Sequence, residues 1–257
     1  MLRQHTFYFI CVVCFLSVFI YWNYWQGFGR VNLYIFYTTP FLGSYLLQPL
    51  FYRNCGFLKC GWFWVVVLFA PALFTVRITT DFNSSYTNKL LIRSLVLIIP
   101  VLLIWLLKDS RLQPLYGVVK IKRFKPYLLM LAAMLPLIQF ASKQQDFMKV
   151  YPRFRGVDAN PLIFELCYGF DFVSIEFFFR GFLILSMVNI CGVKSIIPAA
   201  CFYCTIHLGK PIFEAISSYF GGLLLGWVVY KTKSIAGGLI VHLGIAWIME
   251  IAALFND

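Results

Sequence analysis

Four residues toward the carboxyl end have the types and spacing to do chemistry. Glu176 and Arg180 stand four apart in FVSIEFFFRGFLIL, so a helix puts both on one face within ion-pair reach. His207 lies near the end of the run CFYCTIHLGKP, and His242 falls midway through SIAGGLIVHLGIAWIMEI. The remaining histidine, His5, is at the amino-terminal end. A buried carboxylate can act as general base toward a water, and imidazoles can donate to a developing oxyanion. One Glu, one Arg and two His are therefore the inventory of a hydrolytic site. Glu176, His207 and His242 are also a zinc-ligand set, although no H-E-x-x-H is present and three separate helices would have to supply them. Plainer readings stand beside these. Glu176–Arg180 can be a structural ion pair, and each histidine a helix-bridging hydrogen bond. Glu214 reads as a first-turn charge favoured by the helix dipole, and Glu250 as an interfacial one.

The elements that must position these groups are membrane helices. The 257 residues are 61% apolar and 12% charged, with a mean hydropathy of +0.80. A soluble domain carries about 25% charge, and disorder goes with low hydrophobicity, so both classes are excluded. Apolar runs fall at roughly 6–26, 32–52, 57–76, 91–107, 126–141, 161–188, 195–208, 212–230 and 234–254. The fold class expected is an all-α, polytopic transmembrane bundle of about eight or nine helices. The first run continues through Tyr21, Trp22, Tyr24 and Trp25 without a small-residue cleavage site, which reads as a retained helix with an interfacial aromatic belt. The runs lack the alternation of a transmembrane barrel.

The net charge of +12 reads as Lys and Arg at helix ends rather than as a nucleic-acid surface, because no loop is long enough for a soluble basic domain. Six basic residues lie between Lys108 and Lys125; assigning that segment to the cytoplasm puts twelve Lys and Arg inside and eight outside. The expectation is a multi-pass protein of the plasma (inner) membrane with a cytoplasmic amino terminus. Residues 1–141 carry polar groups mostly in loops, 142–160 form a connecting loop, and 161–254 bring acids, an arginine and two histidines into the membrane. Of the eight cysteines, Cys11, Cys14, Cys167, Cys201 and Cys204 lie in apolar runs as small hydrophobes, and no second C-x-x-C accompanies Cys201 and Cys204. Neither a disulfide framework nor a zinc-thiolate site is expected.

The order of these motifs resembles that of the CAAX-protease and bacteriocin-processing (CPBP, or Abi) family of intramembrane endopeptidases, over roughly residues 160–254. That family carries E-E-x-x-x-R, F-x-x-x-H and H-x-x-x-[N/D]. The resemblance makes Glu176 the second glutamate, Arg180 the arginine, His207 the second-motif histidine with Tyr203 in place of Phe, and His242 the third-motif histidine. Ile175 stands where the family has its first glutamate, and Ala246 where it has Asn or Asp. The resemblance implies an endopeptidase that acts on a membrane-associated peptide or protein, prenylated in some members, with Glu176, Arg180, His207 and His242 as site residues and a Glu-activated water. No cofactor is expected; zinc would be held by Glu176, His207 and His242. Two alternatives stay open. One is an inactive family member that binds a membrane peptide or partner, supported by Ile175 and Ala246. The other is a small proton-coupled transporter using Asp171, Glu165 and the histidines, since Glu165 and Glu176 are eleven apart and share a helix face.

Overall fold

The computed structural model describes residues 2–26, 32–80, 85–119, 124–154 and 160–255. Of the Lys and Arg counted above, Arg30, Lys120, Lys122, Arg123 and Arg155 lie outside them. The described residues form no strand. Among the described residues, nine helices of ten residues or more follow the nine apolar runs: α1 (Leu2–Tyr21), α2 (Leu33–Leu46), α3 (Gly61–Thr79), α4 (Tyr86–Ile104), α5 (Lys125–Ala141), α6 (Pro161–Glu176), α7 (Ile196–Thr205), α8 (Ile212–Thr232) and α9 (Ala236–Leu254). Six stretches among the described residues are long and apolar enough to cross a membrane, including α1, α3, α4, α8, α9 and the continuous run Pro161–Thr205. The protein is an all-α membrane helix bundle.

Local chemistry sets the helix starts. The third helix begins at Gly61 rather than 57 because Gly56–Lys59 forms a 3-10 turn. The fourth begins before its apolar run, where the Ser85 hydroxyl accepts from the Asn88 amide at 3.3 Å. At α6 the Asn160 side chain accepts from the Leu162 amide at 2.9 Å, and Pro161 occupies the first turn, where its missing N–H leaves no bond unmade. Past Glu176 the chain widens into a π-helix, Phe177–Leu185. Phe177, Phe178 and Phe179, between Glu176 and Arg180, all turn inward at 5% exposure or less.

Two compact units cut across the division by sequence character at 141 and 161. The first comprises residues 1–75 and 183–230, the second 76–182 and 231–257. In the first unit, Tyr8, Val12 and Leu16 of α1 share a core with Ala200, Cys201 and Cys204 of α7 and Tyr219 of α8. In the same unit Tyr37, Phe41, Phe74 and Phe202 meet in edge-on and tilted pairs with ring centres 5.1–5.8 Å apart. Gly222 lets α8 approach α7 closely, since a Cβ there would lie 3.2 Å from Ala200.

In the second unit α6 packs on α4 and on α9, and α9 packs on α5. Leu90, Phe164, Tyr168 and Ala246 form its apolar cluster. A second feature fixes the π-segment. Tyr116 is fully buried and donates its hydroxyl to Asp109 at 2.6 Å, while the Gly117 carbonyl accepts from the Ile235 amide at 2.9 Å. Burial, with the Asp109 carboxylate beside it, pushes the Tyr116 phenol well above the usual tyrosine range, so it stays a donor. The Tyr116 carbonyl would lie 2.8 Å from a Cβ on Gly181. Gly181→Ala must therefore push its methyl against a backbone carbonyl and is expected to cost about 1–3 kcal/mol. Thermal unfolding in lipid nanodiscs checks this; an unchanged midpoint would show that the loop yields.

Candidate active site

The sequence places Glu176 one turn before Arg180, and the fold buries both, at 0% and 1% exposure. Arg180 Nη1 lies 3.2 Å from Glu176 Oε1. Helix α9 adds His242, whose Nδ1 lies 2.9 Å from the same oxygen. With a carboxylate as acceptor, Nδ1 carries the proton and donates, so Nε2 is the acceptor nitrogen of the neutral ring. Phe172, one turn before Glu176, meets the imidazole edge-on with ring centres 4.6 Å apart and an interplanar angle of 87°. Phe172 and Glu176 thus grip His242 from one face of α6. The His242 side chain is 15% exposed, whereas those of Glu176 and Arg180 are sealed.

The two oxygens of Glu176 are unequal. Oε1 receives both Arg180 and His242. Oε2 is buried with no hydrogen-bond partner among the described residues. A buried carboxylate oxygen left unsatisfied is costly, so such an atom needs a reason. One guanidinium and one imidazole hold this carboxylate in place and leave its other oxygen buried without a hydrogen bond among the described residues.

His207, in the first unit, sits at the end of α7, where its Nδ1 donates to the Tyr203 carbonyl at 2.9 Å. Its ring packs on that of Tyr203 at 4.6 Å. The four-residue spacing that sets the aromatic motif is thus used locally, with the aromatic and the imidazole in contact on one helix face. Among the described residues no three His, Cys, Asp or Glu side chains are grouped to hold a metal ion.

The other membrane acids are tied to neighbours. Asp171 Oδ1 lies 2.5 Å from Arg77 Nη2 and accepts from Ser94 at 3.1 Å. Glu165 accepts from the Trp247 indole at 2.9 Å, so Glu165 and Glu176 both face α9, as their spacing requires. Glu214 pairs with Lys210 at 2.6 Å. Glu250 is 7% exposed and accepts from the Arg153 amide at 2.7 Å, fastening the loop after α5 to α9. Sequence reading missed Phe172 and the Arg77–Asp171–Ser94 group, and only the intramembrane charge of Asp171 signalled the latter. The two departures from the motifs fill apolar places. Ala246 sits in the Leu90, Phe164 and Tyr168 cluster, and Ile175 is 8% exposed.

No curated protein and no solved structure gives a significant match to the chain. Residues 161–248 match the family model described as type II CAAX prenyl endopeptidase, Rce1-like. That match runs from the start of α6 into α9, less than half of the chain, so this region of an integral membrane protein is similar to the CAAX prenyl endopeptidase family.

Proposed function

We propose that the protein is a membrane endopeptidase that hydrolyses a peptide bond in a membrane-associated protein or peptide, using water activated by Glu176. The observation that carries this is the division of labour on one carboxylate, with Oε1 held by Arg180 and His242 and Oε2 left as an acceptor in a buried site. Oε2 takes a proton as the water oxygen attacks the scissile carbonyl, and the same proton then passes to the leaving amine. Arg180 keeps the carboxylate charged and fixed before the attack. His242 is a donor for the developing oxyanion once its ring is protonated, and a protonated Nε2 is the position for it. His207 is a second donor on the strength of its motif alone. The family match supports a membrane-associated substrate; a prenylated carboxyl-terminal tail is the form we favour, presented at the cytoplasmic face, with the amino terminus on that side of the plasma (inner) membrane.

The test is cleavage of a membrane-tethered reporter by the purified protein in liposomes, with and without a prenyl group. A strong chelator is expected to leave the rate unchanged. Loss of cleavage that added zinc restores would replace the Glu176-activated water with a metal site.

A second reading draws on Ile175 and Ala246. Two apolar side chains where the family pattern has an acid and an amide favour a family member that binds its peptide without cutting it. Binding of the reporter with no product over long incubation would decide for it.

A further inference from the structure

Five residues of α6 and the π-segment that continues it stand four apart: Phe164, Tyr168, Phe172, Glu176 and Arg180. Side chains at that spacing are neighbours on a helix surface. The first three make a ladder of rings within the second unit. Phe164 stacks on Tyr168 with ring centres 5.7 Å apart, and Tyr168 meets Phe172 edge-on at 5.0 Å. The foot of the ladder is anchored from outside the helix. Phe164 also stacks on Tyr86 of α4 at 5.9 Å and meets Phe154, in the loop before α6, at 5.1 Å. Phe164 and Tyr168 are both buried. The top rung, Phe172, lies 4.6 Å from the His242 ring, and the next residue of the series, Glu176, takes His242 Nδ1.

The hydrogen bond to Glu176 does not by itself determine the imidazole. It fixes one ring atom, and rotation about the Cβ–Cγ bond of a histidine is a broad torsion without sharp staggered wells. A ring that turns about that bond carries Nδ1 off Glu176 Oε1 and redirects Nε2 in the same motion. Phe172, at 87° to the imidazole plane, fills space that the turning ring would sweep. Tyr168 behind it keeps Phe172 from giving way. We propose that Phe172, backed by Tyr168, is a positioning residue that locks the His242 ring with Nδ1 on Glu176 and so sets the direction of Nε2. The inference rests on the reading of Glu176 and His242 as the site of hydrolysis, and Phe172 acts through His242 rather than on the substrate. It also gives the ladder a purpose beyond packing, since the aromatic column that joins α6 to α4 ends on the imidazole.

Nuclear magnetic resonance of the full-length protein in lipid nanodiscs, with isotope-labelled histidine, reads the ring directly. The chain has three imidazoles, His5, His207 and His242, and His242→Gln identifies the signals of the third. In the wild type His242 is expected as a single tautomer, protonated at Nδ1, on an immobile ring. Phe172→Leu removes the phenyl ring and keeps an apolar side chain; it should give mixed tautomers and a mobile His242 ring while His207 is unchanged. In the liposome reporter assay it should lower kcat by about 10–100-fold with KM unchanged, the scale of loss when a reacting group is misplaced by about an ångström. Phe172→Tyr, which keeps the ring, should restore both the spectrum and the rate. An unchanged His242 spectrum in folded Phe172→Leu overturns the proposal, and so does a loosened ring with unchanged kcat. A mobile or mixed His242 in the wild type overturns it as well, whether or not any variant folds. The spectra need no cleavage, so a wild type that never cuts the reporter would end the hydrolytic reading, while the spectra still decide whether Phe172 holds the ring.

Discussion

Glu176→Gln is expected to slow reporter cleavage by about 10²–10⁴-fold, the usual loss when a general base is removed. The amide keeps the size of the carboxylate and one carbonyl oxygen for His242 and Arg180, so the packing against Phe172 persists. It cannot accept the water's proton at the position of Oε2. The same change leaves Arg180, 1% exposed, without its counter-charge. Breaking a buried pair from one side costs about 3–5 kcal/mol, so stability must be read alongside rate. The companion variant is Glu176→Asp, which keeps the charge and withdraws it by one methylene. It should retain more of the fold and still lose most of the rate, because the base no longer reaches the attacking oxygen. Rates come from product formation in liposomes, and folding from the thermal midpoint of each variant. A folded Glu176→Gln protein that cleaves at the wild-type rate would remove Glu176 from the chemistry.

The parts of this site that sequence made legible are the ones set by short-range geometry. A spacing of four predicts the Glu176–Arg180 pair, and the pair is present at 3.2 Å. A spacing of eleven predicts that Glu165 and Glu176 share a face, and both reach α9. Nine apolar runs became nine helices because lipid forces every backbone N–H and C=O to find a partner within its own segment. What stayed hidden depends on chain segments far apart. Nothing in the spacing of Arg77 and Asp171, 94 residues apart, foretells their contact. The π-helix from Phe177 to Leu185 escaped because a run of Phe, Leu and Ile has the same composition in either helix. The spacing of Gly181 and Tyr116, far apart in the chain, does not foretell that the glycine admits the Tyr116 carbonyl of a loop. His242 is an intermediate case. Its type and its place in a membrane helix marked it as a candidate, but only the fold aims its Nδ1 at Glu176.

Removing one member of the Arg77–Asp171 pair is expected to be among the most damaging changes outside the site. The side chains are 5% and 16% exposed, and the Ser94 hydroxyl donates to the same carboxylate oxygen. In Arg77→Leu the Asp171 carboxylate is left in an apolar setting with one hydroxyl for company, and in Asp171→Asn the guanidinium is left in excess. Each should lower unfolding free energy by about 3–5 kcal/mol. An exposed pair contributes only about 0–1 kcal/mol, so a loss of that size would mean that water reaches these groups. The double change Arg77→Met with Asp171→Leu separates charge burial from shape. Replacing a buried pair with apolar side chains of similar volume is often neutral or stabilising by about 1–4 kcal/mol, so the double variant should recover most of what either single variant loses. Denaturant titration of the four proteins in one detergent gives the coupling directly. Cleavage should recover with stability, because Glu176 is held by Arg180 and His242 rather than by Asp171, although Asp171 and Glu176 both ride on α6. A double variant that is stable yet inactive would instead make the ion pair a positioning element, one that sets the rotation of α6 and with it the aim of Glu176 at His242.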